Sequence, residues 1–147
     1  MFKLFKKFKS KKDDNNENAE LLTKTASLLV HAAKIDQNFT DKEREIIKKT
    51  IIELGADTSV VDKIIDEAEI NEANSTQILN FTREIKNKND KFKTKIVEVL
   101  WNIIYSNDEA DMYETNLMRR LAGLLYIDNK IMGDIKDKIK KRSKWHI

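Results

Sequence analysis

Two acidic turns hold the residues whose types and spacing are best suited to chemistry. Ile35 to Glu43 (IDQNFTDKE) and Ser106 to Glu114 (SNDEADMYE) each place a side chain with a cation-ligating oxygen, Asp36 or Asn107, seven residues before a glutamate, Glu43 or Glu114. In both, a short oxygen-bearing residue, Thr40 or Asp111, stands three residues before that glutamate. With Asp108, the turns offer Asp36, Glu43, Asn107, Asp108 and Glu114, hard oxygen donors of the kind that Ca2+ and Mg2+ take. The same pattern also suits helix N-termini, where a threonine or aspartate cap and a glutamate three residues on satisfy free amides and the helix dipole, worth about 0.5–2 kcal/mol per cap. Spacing alone leaves both readings open. An EF-hand is excluded: Asp36, Asn38 and Thr40 fall at its first, third and fifth positions, but Asp41 and Ile47 stand where glycine and a bidentate glutamate are required.

Catalytic chemistry has little to work with. His31 lies among Leu28, Ala32 and Ile35, where a lone histidine is a packed, hydrogen-bonded residue rather than a base, and His146 is in the terminal residues. The chain has no cysteine, and it contains no nucleophile motif, glycine-rich phosphate loop or His-x-x-x-His pair. A non-enzymatic binding role is expected. Trp101, Tyr105 and Phe92 read as core or rim aromatics, and the basic run KDKIKKRSKW, with no interleaved aromatic platform, reads as a solvated helix face rather than a nucleic-acid reader.

The elements that position these turns are helical. With no proline and only Gly55, Gly123 and Gly133 among 147 residues, and with apolar residues recurring at three-to-four spacing, the expectation is an all-α bundle. The pattern predicts seven helices, or eight if the N-terminal amphipath forms one. The first, from Ala19 to Lys34, is built on Leu21, Leu22, Leu28 and Leu29. The second follows Thr40 and ends at Gly55. The third, capped by Asp57-Thr58, carries Val60, Val61, Ile64, Ile65 and Ala68. A short fourth, capped by Asn74-Ser75-Thr76, holds Ile78, Leu79, Phe81 and Ile85. The fifth, Asp90 to Tyr105, is the most apolar and is expected at the centre. Asp111 caps the sixth, with Leu117, Met118, Leu121 and Leu125, and Asp128 caps the seventh, with Ile131, Met132, Ile135 and Ile139. Lys140 to Ile147 is expected to fray.

Charge divides the chain unevenly. Residues 1–12 hold six lysines and no acid, and residues 134–147 hold six basic and two acidic groups, so the formal +3 conceals a body of −7 between ends of +6 and +4. In Met1 to Lys9 (MFKLFKKFK), Met1, Phe2, Leu4, Phe5 and Phe8 gather on one side of a helical wheel, with Lys3, Lys6, Lys7 and Lys9 on the other. Such a segment is expected to bind an anionic membrane surface, to remain an unordered tail, or to dock on the acidic body. The resulting layout is a basic tail and polar linker over 1–18, a helical domain over 19–142 and a C-terminal tail over 143–147. No apolar run approaches the ~18 residues of a membrane span and no signal-peptide pattern is present, so a cytoplasmic protein, peripheral to the inner membrane face through its N-terminus, is expected.

The turns belong to a longer duplication. At a constant offset of 71, Leu29 meets Leu100, Glu43 meets Glu114, Leu54 meets Leu125, Asp57 meets Asp128 and Ile64 meets Ile135, which predicts two pseudo-repeated three-helix halves packed on one another. The segments AAKIDQNFTDKEREII and WNIIYSNDEADMYETNLMRRLAGLLYI resemble the tellurite-resistance TerB family and the related N-terminal domain of the DjlA co-chaperone. In those proteins each half carries an Ala-Asp-Gly turn, followed seven residues after the Asp by a Glu. The resemblance covers roughly residues 20–140. It implies a seven- or eight-helix bundle, a non-enzymatic role in stress response, an acidic site for a divalent metal, and association with membranes or protein complexes. Asp36 and Asn107 match the turn aspartates, and Glu43 and Glu114 the glutamates. The chain departs from the pattern where Gln37 and Asp108 replace glycine and Asn107 replaces the second aspartate.

Overall fold

No residue before Gly55 is a glycine or proline, so helix boundaries in that stretch rest on side-chain capping such as that of Thr40. The computed structural model describes residues 2–35, 39–75, 77–106 and 112–145, with side chains between 18 and 142. It contains seven α-helices, and no strand among the described residues. They are α1 (Phe2–Ala33), α2 (Asp41–Glu53), α3 (Val61–Asn74), α4 (Leu79–Thr82) with a following 3-10 turn (Ile85–Asn87), α5 (Asp90–Tyr105), α6 (Met112–Leu124) and α7 (Asn129–Trp145).

The expected linker over residues 13–18 is not a break: α1 runs unbroken from Phe2, because DDNNEN lacks the backbone chemistry that ends a helix. The seventh helix likewise continues to Trp145 through the end expected to fray. Burial corrects the expected centre. In α1, every residue from Thr25 to Val30 is buried, and the helix packs against α2, α3, α4 and α5. The expected centre, α5, shares that role, burying Ile96, Val97, Leu100, Ile103 and Ile104 against α1, α2 and α7. Val60, Leu79 and Ile131, expected in the core, are exposed. The fourth helix is a single turn extended by the 3-10 segment, with Phe81, Thr82 and Ile85 buried.

Ion pairs fix the helix directions. Ser27 Oγ reaches Ala68 O and His31 Nδ1 reaches Glu72 Oε1, so α1 and α3 run in the same sense. Arg44 binds Glu69 and Asp66, and Lys48 binds Asp62, so α2 and α3 run opposed. The C-terminal end of α2 then meets the start of α5: Lys95 Nζ is 2.7 Å from Glu53 Oε2 across a groove lined by Leu54, Asn89 and Phe92. Asn18 of α1 lies beside Gly55 at that same end, and Lys24 is 2.6 Å from Glu84, just ahead of α5. The buried half of α1 and all of α5 therefore start together, and their C-terminal ends share the other end of the bundle.

Helix ends repeat in detail. After α2, Leu54 N donates to Thr50 O, Gly55 N to Ile52 O and Ala56 N to Ile51 O. After α6, Leu125 N donates to Leu121 O, Tyr126 N to Gly123 O and Ile127 N to Ala122 O. This is a Schellman closure, which needs a left-handed residue at its corner. Gly55 supplies φ +121° and Tyr126 supplies φ +56°. Asp128 caps α7 through Lys130 N, as expected, whereas Asp57 accepts from Ser59 N in the turn before α3 and the cap position of α3 is Val60. At the second corner Lys93, buried on α5, donates from Nζ to Leu125 O and binds the end of α6. A side chain at Gly55 is strained whatever the space, so Gly55→Ala should destabilise by about 1–3 kcal/mol, while Tyr126→Gly, which removes a β-carbon from the same conformation, should stabilise by up to about 1 kcal/mol in thermal unfolding.

Candidate functional site

The N-terminus of α2 is closed by its own sequence. Thr40 has an extended backbone, its Oγ1 accepts from Glu43 N at 3.2 Å, and Glu43 Oε1 accepts from Thr40 N at 3.0 Å and from Thr40 Oγ1 at 2.9 Å. The capping box read from the sequence is present. What spacing did not foretell is that this carboxylate is only 1% exposed. The hydrogen bonds described to it all come from Thr40, and the neighbouring cation, Arg44, is turned to α3, where it binds Asp66 and Glu69. A carboxylate withdrawn from water is costly unless hydrogen bonds or a cation offset the lost hydration.

Glu114 stands in the first turn of α6 and is buried as well, at 5% exposure. Leu125 just past α6 is held by Lys93 near the start of α5, so α6 returns toward the start of α5 from the acidic turn that follows the C-terminal end of α5. Tyr105, the last residue of α5, registers this: its phenol is pushed above the ordinary tyrosine range, first by burial and then by the negative charges of Asp137 and Glu114. Glu43, which enters α2 after α1 ends, and Glu114, which enters α6 after α5 ends, thus sit at the same end of the bundle. Tyr105 stacks on Trp101 with ring centroids 5.8 Å apart, and Lys136 lies over the Trp101 ring. Sequence reading placed these aromatics only as core or rim; the one signal for a tie to the acidic turn is that Tyr105 directly precedes it.

Asp36, Asn107 and Asp108 lie outside the described residues, as do Asp111 and Thr76, two of the expected caps. Among the described residues, no group of three or more His, Cys, Asp or Glu side chains could hold a metal ion. Glu43 and Glu114 therefore make no site by themselves. The donor chemistry nevertheless fits a hard cation, since all five expected ligands offer oxygen. His31 is hydrogen-bonded to Glu72, which also binds Lys34 at 3.3 Å, but it is half-exposed rather than packed as expected for a lone histidine. For the expected membrane-surface residues Phe2, Lys3, Phe5, Lys6, Lys7, Phe8 and Lys9, only the helical backbone is described. No described helix is long and apolar enough to cross a membrane.

Comparison with known proteins now decides the lineage. The family described as tellurite resistance protein TerB matches residues 22–137, most of the chain. The chain belongs to the TerB family. No curated protein and no solved structure gives a significant match. The TerB match opens in the buried half of α1 and closes on α7, so the basic segment 1–12 precedes it. Both buried glutamates, Tyr105 and both Schellman corners fall within it.

The raised Tyr105 phenol gives a pH test. A raised folded value means stability is intact below the ordinary tyrosine range and is lost as pH climbs through that range toward the folded value, because the unfolded phenol ionises first. Urea midpoints measured across alkaline pH should fall more steeply for the wild type than for Tyr105→Phe, with the two converging in slope near neutrality.

Proposed function

We propose that this TerB-family chain is a non-catalytic helical domain that binds a divalent cation, Ca2+ or another hard ion, at the acidic end of its bundle, and acts in a stress response of the tellurite-resistance type. The observation that carries this reading is the burial of Glu43 and Glu114 at one end of the fold, 71 residues apart, each in the first turn of a helix that follows an acidic turn. Capping accounts for the position of each glutamate. Capping alone does not call for two nearly dry carboxylates at the same end, where Asp36, Asp108 and Asp111 add further charge in sequence. The two helix-end hydrogen-bond sets at the same offset support treating the turns as half-sites of one repeat.

In this reading Asp36, Glu43, Asn107, Asp108 and Glu114 supply oxygen ligands, and the cation supplies the positive charge that relieves their mutual repulsion. The chain's own part is positional. Thr40 fixes the Glu43 carboxylate, and Lys93 holds the C-terminal end of α6, opposite the end that carries Glu114. A second reading, an adaptor or co-chaperone-type module that binds another protein, is favoured by Met112 and Tyr113, each 73% exposed beside Glu114.

Cation binding confined to the folded state raises stability by mass action, roughly 1.4 kcal/mol at ten times Kd, which is several degrees in a domain of this size. Millimolar Ca2+, Mg2+ or Mn2+ should raise the wild-type Tm by that amount, and Asp36→Asn, which leaves the Thr40–Glu43 box intact, should lose most of the shift. A wild-type Tm insensitive to all three ions removes the cation reading and leaves the capping role.

A further inference from the structure

We propose that residues 2–12 dock the chain on an anionic lipid bilayer as the leading turns of α1, holding the acidic end of the bundle away from the membrane. Six lysines and no acid occupy residues 1–12, whereas the body between residues 13 and 133 is net acidic. An anionic surface is thus the complement of the segment and not of the rest of the chain.

The helix itself supplies the second argument. At 3.6 residues per turn, Phe2, Leu4, Phe5 and Phe8 fall within an arc of about 160°. Within the bundle α1 is buried on every face from Thr25 to Val30, Ser27 and Val30 included, so its core contacts do not single out the face on which this stripe falls. Nor must it nucleate a helix on its own, as an isolated nine-residue amphipath would, because residues 19–33 are already fixed in the core and the segment only propagates from them. Lys3, Lys6 and Lys7 fall opposite that arc, Lys11 beside it and Lys9 and Lys12 within it, a basic amphipath of the kind that lies at a headgroup boundary.

Continuity sets the geometry. From Phe8 to Ala33 a helix rises about 38 Å, several times the Debye length of about 8 Å at physiological ionic strength. The end of the bundle that carries Glu43 and Glu114 thus lies several Debye lengths along α1 from the turns that dock. Other helices surround the buried half of α1, so that half is not available to lie on the bilayer with them.

The test is co-sedimentation of the full chain with phosphatidylglycerol-rich and with pure phosphatidylcholine vesicles, with EDTA present so that no divalent cation bridges protein and lipid. Wild type should sediment with the anionic vesicles alone at low salt, and keep part of its binding at high salt through its apolar stripe. The triple variant Phe2→Ser, Phe5→Ser, Phe8→Ser should bind about tenfold or more weakly with an unchanged Tm, given the free energy of burying phenylalanine. Replacement of Lys3, Lys6, Lys7 and Lys9 by glutamine should abolish the preference for anionic lipid. Wild-type sedimentation indifferent to lipid charge overturns the proposal, as does a triple variant that binds like wild type. Competition by RNA that strips the wild type from vesicles while the phenylalanine variant keeps the same RNA affinity and the same vesicle affinity also overturns it, because lysines alone then carry the binding. Because EDTA is present throughout, failure here leaves the cation reading untouched, and failure of the cation titration leaves this one untouched.

Discussion

The whole bundle depends on one helix being dry on every side. From Thr25 to Val30 no residue of α1 reaches solvent, so α2, α3, α4 and α5 must all be in place around it. The requirement has a cost in polar groups. Thr25 Oγ1 is buried without a hydrogen-bond partner among the described residues, and so is Trp101 Nε1 on α5, each an expense of about 1–3 kcal/mol. Ser27, in the same stretch, avoids it by donating to Thr23 O within α1. Small residues, Ala26, Ser27, Ala32 and Ala33, let the neighbouring helices approach closely enough for apolar burial to outweigh these losses.

Once α1 and α5 start from the same end, the chemistry of the two ends separates. At one end lie Asn18, the Schellman corner at Gly55, the groove between α2 and α5, and the Lys95–Glu53 pair that ties those helices together. At the other the chain passes through both acidic turns and re-enters as α2 and α6, with Glu43 and Glu114 buried on entry. The electrostatic asymmetry along α1 follows: lysines lead the helix, and the acidic turn follows it. A single helix connects the two features of the chain that most resemble binding determinants, and it does so without a flexible joint.

Much of this was legible in the sequence, and the failures have a common form. Thr40 with Glu43 and Asp128 ahead of α7 announce helix starts because capping is local chemistry, and Gly55 announces a stop for the same reason, whereas the Asn89 cap of α5 was not read from the sequence. Tyr126 closes the equivalent corner without a glycine, so only the offset from Gly55 reveals it. Val60 and Ile131, equivalent positions at the offset of 71, are both exposed where apolar periodicity placed them inside, because each stands at the outer start of its helix before the packing seam begins. Burial of Lys93 and the full burial of α1 are tertiary properties. Nothing within a few residues of Lys93 signals that its ammonium will meet a carbonyl 32 positions away. For the acidic site, residue types, spacing and the repeat gave the candidates, while the burial of Glu43 and Glu114 emerged only from the packed structure.

α1 joins a core half that the bundle cannot lose to a leading half that we propose docks on an anionic surface. Amide hydrogen exchange resolved along α1, with and without anionic vesicles, separates the two halves. Amides from Thr25 to Ala33 should exchange only through global unfolding and be unchanged by vesicles, while those from residues 2–17 should show the weaker protection of a helical end that frays locally and gain protection when vesicles are added. Protection of residues 2–17 equal to that of Thr25 to Ala33 in the absence of lipid, or vesicle-induced changes centred on the core half, would contradict this division.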